Sequence, residues 1–281
     1  CSSDLYDTLG VSSYETVNIT ANKSAAGAAA NEIINLTVGA TTSSINIDGT
    51  GNFSTTLGTG AKVTSVDASG LAGALVLTAS AANATYKMGG ASSTLTMGTT
   101  LSSKDTIVGG AGVADTVTAT VTGMSAALGT SKVNISDVER IYLTTSGNNA
   151  IDMSSVTGTY TLGVTDNKQT ITGYDLASTI SLGLAADAAA TSSEIDVTAA
   201  DATGAADTLK VKVDNTAGVV NSIIDASNIE TLALNIEAVT NGITLNMTTG
   251  QFDAITVGQK ATIATPAALN LGTLNKATTS L

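Results

Sequence analysis

Ala114-Asp115-Thr116-Val117-Thr118-Ala119-Thr120-Val121 decides the reading of this chain, because it returns as Ala206-Asp207-Thr208-Leu209-Lys210-Val211-Lys212-Val213. Val138-Glu139-Arg140-Ile141-Tyr142-Leu143 likewise returns as Ile229-Glu230-Thr231-Leu232-Ala233-Leu234. The first pair is displaced by 92 residues, from 115 to 207, and the second by 91, from 139 to 230. Two different phrases sharing one displacement mark a duplicated module, and duplicated strand-rich modules stack or link in series. Each copy enters an Asp-Thr strand and reaches its Glu after 24 residues (Asp115 to Glu139) or 23 (Asp207 to Glu230).

Further echoes extend the pattern. Tyr14-Glu15-Thr16-Val17-Asn18-Ile19 repeats the Glu phrase, and Val66-Asp67-Ala68-Ser69-Gly70 resembles Ile151-Asp152-Met153-Ser154-Ser155. The stretch from Ile243 to Val257 keeps the strand with Asn246 at the acidic place. The sequence therefore divides into a longer N-terminal unit, 1–104, and two more regular units, 105–195 and 196–281. Short alternating or β-branched runs recur throughout, including Ser44 to Asp48, Thr94 to Met97 and Leu209 to Val213, each bounded by Gly, Asn, Asp or Ser. That rhythm is all-β. Ala25 to Ile34 and Leu184 to Ala190 are alanine-rich but carry no helical stripe. The expected architecture is an elongated, repeat-built parallel β-solenoid resembling a β-roll. The alternative is tandem β-sandwich domains, whose usual length matches the displacement.

Composition removes whole classes of chemistry. Among 281 residues there is no histidine or tryptophan and one cysteine, and aromatics make up 3%. No Ser-His-Asp triad, imidazole zinc site or internal disulfide is available. The formal charge of −12, with Arg140 the only arginine, argues against nucleic acid, whose phosphates need a basic face. The same acidity suits divalent cations. Aspartate outnumbers glutamate 17 to 6, and short carboxylates favour turns and calcium loops. No apolar run is long enough to span a membrane. Cys1 is expected to be either an acylated mature terminus or a fragment boundary.

The segment that points to a specific chemistry is Asp105-Thr106-Ile107-Val108-Gly109-Gly110-Ala111-Gly112-Val113-Ala114-Asp115. It resembles the glycine- and aspartate-rich nonapeptide of calcium-binding RTX β-rolls, in which glycines allow left-handed turns and carboxylates sandwich the ion. Its counterpart, Asp196 to Asp207, keeps aspartates at 196, 201 and 207. The calcium candidates are Asp105, Gly110, Gly112, Asp115, Asp196, Asp201 and Asp207. With the Val66 to Leu71 and Ile229 to Leu232 phrases, these segments resemble the β-strand repeat region of bacterial surface-layer proteins of the RTX-secreted type. That resemblance implies calcium-dependent folding, a self-assembled lattice outside the cell, type I export, and a surface glycolipid of the outer membrane as anchoring partner.

Other signals are weaker. Seven Asn-x-Ser/Thr sequons are about what 19 asparagines in so Ser/Thr-rich a chain produce by chance. Glu15, Glu139 and Glu230 recur at strand entries without a facing carboxylate, which fits cross-strand bonding rather than catalysis. Arg140 and the ten lysines are scattered and read as solvated. The leading expectation is a non-enzymatic, self-assembling surface protein. A secreted adhesin or stalk is the alternative, and a β-helical carbohydrate-active enzyme the next, with Lys104 beside Asp105 its only support.

Overall fold

The computed structural model describes residues 5–22, 31–58, 62–79, 83–121, 132–145, 149–164, 167–182, 193–204, 206–215, 220–239, 243–246, 252–260 and 269–270. Among them the fold is all-β, with 25 strands and no helix. Residues 31–34 belong to a strand, and Leu184 to Ala190 lie outside the described residues. The chain forms two compact units: Cys1–Thr120 with Val133–Ile141 and Val156–Gly158, and Val121–Lys132 with Tyr142–Ser155 and Thr159–Leu281.

Strands are numbered in chain order. In the first unit β1 (Leu5–Val11), β3 (Asn31–Val38), β5 (Phe53–Leu57), β7 (Leu75–Thr78), β9 (Thr94–Gly98) and β11 (Thr116–Val121) line up as one parallel sheet. The strands between them form a second: β2 (Thr16–Thr20), β4 (Ser44–Gly49), β6 (Ser65–Leu71), β8 (Thr85–Lys87), β10 (Thr106–Val108), β12 (Asn134–Ser136) and β15 (Val156–Thr157). Each turn of chain thus gives one strand to each sheet, the geometry of a β-solenoid. The second unit repeats it. There β16 (Thr161–Val164), β18 (Thr179–Leu182), β20 (Thr208–Asn215), β22 (Thr231–Val239) and β24 (Ala254–Gln259) make one parallel sheet. The other comprises β14 (Asn149–Asp152), β17 (Asn167–Tyr174), β19 (Ser193–Ala199), β21 (Val220–Ala226), β23 (Ile243–Asn246) and β25 (Leu269–Asn270). β13 (Arg140–Thr145) crosses the boundary between the units. Parallel pairing excludes the tandem sandwiches, which are antiparallel.

Alternation builds the core. Val17, Ile45, Val66, Tyr86, Ile107, Ile135 and Val156 are consecutive register partners and all are buried, with 8% exposure at each end of the row and 0–2% between. Every second residue faces inward, so each coil lays its apolar side chain on that of the coil before. Full burial of such a side chain contributes about 1.5–3 kcal/mol, and the row repeats the gain coil by coil. In the second unit Leu162, Ile180, Val211 and Leu234 form an equivalent row that ends at Val257, 43% exposed.

The coils are unequal. Register partners Thr16, Ser44, Ser65, Thr85, Thr106 and Asn134 are 28, 21, 20, 21 and 28 residues apart. The displacement of 92 residues is therefore a run of several unequal coils and not one domain length.

Candidate functional site at the acidic corners

The motif spacing of 24 residues is a single coil. The Asp115 peptide N–H donates to Glu139 Oε2 at 2.7 Å, and the Arg140 N–H donates to the Asp115 carbonyl at 3.0 Å. Asp115 is fully buried, so its charge must be compensated by donors. Oδ1 accepts the Ser93 N–H of the preceding coil at 2.7 Å, and Oδ2 accepts the Gly110 N–H of its own turn at 2.8 Å. One residue thus ties three successive coils. Short bonds to a carboxylate are the strong kind.

Asp105 does the same at the neighbouring corner. It is 1% exposed, and its Oδ1 accepts the Ala84 N–H at 2.9 Å, while Oδ2 accepts the Ser102 N–H at 2.8 Å and hydroxyl at 2.9 Å. In the second unit the Asp207 N–H donates to Glu230 Oε2 at 2.8 Å, and the Thr231 N–H donates to the Asp207 carbonyl at 2.9 Å. This copy is more open: Asp207 is half-buried and its Oδ2 accepts the Gly204 N–H at 3.2 Å.

The remaining candidates are dispersed. Asp201 is exposed and accepts the Thr203 hydroxyl at 2.8 Å. Asp196 lies within β19, in register with Thr170 and Asp225, and accepts the Thr170 hydroxyl at 3.4 Å. Among the described residues no group of three or more acidic or cysteine side chains is placed to hold a metal ion. The oxygens of Asp105 and Asp115 are directed at peptide N–H groups.

The role expected of the glycines is corrected. Neither Gly110 nor Gly112 has a positive φ. They are required by close approach: a Cβ on Gly110 would strike the Gly89 carbonyl, and one on Gly112 would meet the Ser92 nitrogen at 2.7 Å. The left-handed conformation lies elsewhere. Ser13 (φ 68°), Asp137 (φ 55°) and Asn228 (φ 60°) each stand two residues before Glu15, Glu139 and Glu230. Short polar side chains tolerate this region best after glycine. Each corner therefore reads as a left-handed polar residue, an apolar residue and a glutamate. Sequence reasoning found the glutamates and missed the residue that aims them, although its short polar character in all three copies was the available signal.

The other repeated phrase is a second kind of corner. Asp67 Oδ1 accepts the Ser69 N–H at 3.0 Å and hydroxyl at 2.6 Å, and Asp152 Oδ1 accepts the Ser154 N–H at 2.9 Å. Ile224-Asp225-Ala226-Ser227 has the same form, with Ile224 and Ala226 buried as Val66 and Ala68 are. Lys87 Nζ lies 2.7 Å from Asp67 Oδ2 on the adjacent strand. That ammonium, with the Ser69 bonds, holds the Asp67 pKa down at about 2. The Ser154 bonds, with Lys132 adding its charge, hold Asp152 below the usual carboxylate range. No protein-family model, curated protein or solved structure matches the chain.

Proposed function

We propose that the chain is a structural, self-assembling protein of the cell surface, whose coils stack against further coils of its own kind in a surface-layer lattice. The observation that carries this reading is the use made of the acids. The same Asp–Glu corner is built in both units, and in each the glutamate carboxylate accepts a peptide N–H of the adjacent coil. Glu15 holds the equivalent place at the entry to β2, exposed, with its carbonyl accepting the Ser43 and Ser44 N–H groups of the next coil. At the corresponding places Glu139 and Glu230 accept a peptide N–H from the preceding coil. Val257 exposes an inward-row position at the entry to such stacking in the second unit.

Calcium-linked assembly is the finer part of the proposal. It rests on 23 acidic against 11 basic residues, because the Asp105 and Asp115 oxygens already have donors. Extracellular localisation and a glycolipid anchor belong to the same reading. Sedimentation and electron microscopy of the purified chain, with calcium and with EGTA, test it. Concentration-dependent ordered sheets that dissolve in EGTA are expected. A particle that stays monomeric at every concentration in both conditions overturns the lattice and favours a stalk. Sheets indifferent to EGTA overturn the calcium part alone.

A further inference from the structure

We propose that the outer face of strands β5, β7, β9 and β11 binds ice, through two rows of hydroxyl and methyl groups spaced as water is spaced in its crystal. The rows follow from register. Ser54, Val76, Thr94 and Thr116 are successive partners in one, and Thr56, Thr78, Thr96 and Thr118 in the other. All eight alternate with buried residues and so point outward, and the register runs through them without a shift. Val76, 49% exposed, sets an apolar side chain among the hydroxyls. The array ends at Glu32, the partner of Ser54 on β3, and at Arg140, which opens β13.

Spacing selects the ligand. Neighbouring strands lie about 4.8 Å apart, so each row repeats its side chains at that interval. Water hydrogen-bonded tetrahedrally at about 2.75 Å places second-neighbour oxygens about 4.5 Å apart, within about 0.3 Å of the row's interval. A row of four side chains thus meets successive oxygens of a crystal plane. Threonine and valine are stiff at χ1, so the array gives up little rotamer freedom on contact. Thr116 Oγ1 donates to the Ala114 carbonyl and Thr118 Oγ1 to Thr96 Oγ1, both at 3.2 Å, and hydroxyls so engaged keep lone pairs that accept from water.

Charge and size exclude the other occupants. None of the eight side chains is charged, in a molecule of net charge −12, so the face suits a neutral surface and not an ion or a mineral. None is aromatic, so a crystalline polysaccharide finds no ring to stack on. The array measures about 14 Å by about 7 Å between its outermost Cα positions. That is far short of the roughly 800 Å² each partner gives to a stable protein interface, which excludes a second copy. The other sheet of the unit lacks the pattern: its outward row runs Asn18, Asn46, Asp67 and Lys87, the last two an ion pair. This inference goes beyond the lattice reading and does not depend on it.

The test is slow freezing of a solution of the full chain onto an ice surface, with protein measured in the ice and in the remaining liquid, beside microscopy of ice crystals grown in it. Enrichment in the ice and faceted crystals are expected. Thr78→Tyr with Thr96→Tyr raises two rings from the middle of the array and should abolish both, at a urea midpoint close to the parent's. Thr96→Lys sets a charge there and should do the same, which keeps the test if the double variant does not fold. Thr85→Tyr, on the other sheet, should abolish neither. Rejection of the parent by growing ice overturns the proposal outright. Enrichment retained in the folded array variants, or lost equally in Thr85→Tyr, also overturns it. A parent that ice rejects but microcrystalline cellulose binds overturns it in favour of a polysaccharide. A parent that ice rejects and whose self-association the array variants abolish overturns it in favour of a second copy.

Discussion

Asp115→Ala removes the acceptor for two buried peptide donors while leaving the backbone contacts of Asp115 itself in place. The Ser93 and Gly110 N–H groups, now 2.7 and 2.8 Å from the carboxylate, would face an apolar methyl. A buried donor left unsatisfied costs about 1–3 kcal/mol, so the pair costs about 2–6 kcal/mol. Release of a buried charge offsets part of this, and we expect a net loss of about 2–4 kcal/mol. Asp115→Asn keeps one oxygen but sets an amide NH2 against the other donor, so it should cost about half as much. Asp201→Ala is the control: among the described residues that exposed carboxylate accepts the Thr203 hydroxyl alone, and its loss should fall within about 0.5 kcal/mol. Because stacked repeats open locally as well as globally, urea unfolding should be joined by amide hydrogen exchange. Exchange should accelerate at Ser93 and Gly110 before it does at Ile107, within the core row. A loss below about 1 kcal/mol for Asp115→Ala, or equal losses for Asp115→Ala and Asp201→Ala, would refute the claim that corner carboxylates hold the coils together.

Further outcomes follow from the same geometry. Gly110→Ala places a Cβ against the Gly89 carbonyl, a backbone atom that cannot turn aside, and should cost more than about 3 kcal/mol by urea midpoint. Glu230→Ala should cost about 1–2 kcal/mol and Glu230→Gln less, because glutamine keeps an oxygen for the Asp207 N–H. Asn228→Val, forced to φ 60°, should lose about 1–2 kcal/mol, while Asn228→Gly should stay within about 0.5 kcal/mol of the parent. Asp67 has a folded pKa lowered to about 2 from 3.8, so its contribution is complete above the unfolded value and is lost as pH falls through the folded one. Both partners are partly exposed, which limits the pair to about 1 kcal/mol. Lys87→Ala should therefore lower the urea midpoint slightly at pH 7, and the difference should shrink towards pH 2.

The strands were legible because alternation is local. Thr-Val-Thr-Ala-Thr-Val at 116–121 and Leu-Lys-Val-Lys-Val at 209–213 place every second side chain on one face whatever lies beside them. The corner acids were legible as recurrences, and the spacing of Asp115 to Glu139 held the length of one coil. Their bonding was not legible. Asp115 reaches Ser93 and Gly110 through their peptide N–H groups, and a peptide donor leaves no mark on residue type. The glycines of 109–112 were visible as a tight turn, yet at Gly110 and Gly112 the obstruction comes from the Gly89 carbonyl and the Ser92 nitrogen of the preceding coil, and at Gly109 from the Asp137 carbonyl of the next.

Sequence alone determined that the chain is all-β, that it repeats, and that its acids recur at strand entries. Tertiary structure decided which coil meets which. Successive partners lie as few as 18 residues apart at Val76 and Thr94 and as many as 31 at Ile180 and Val211. With coil lengths so uneven, no fixed period in the sequence assigns the neighbours. The outward face of β20 shows the same limit: Lys210 and Lys212 announce a shared face by their spacing of two, but their neighbours Ala233 and Asn235 are fixed only by the register with β22.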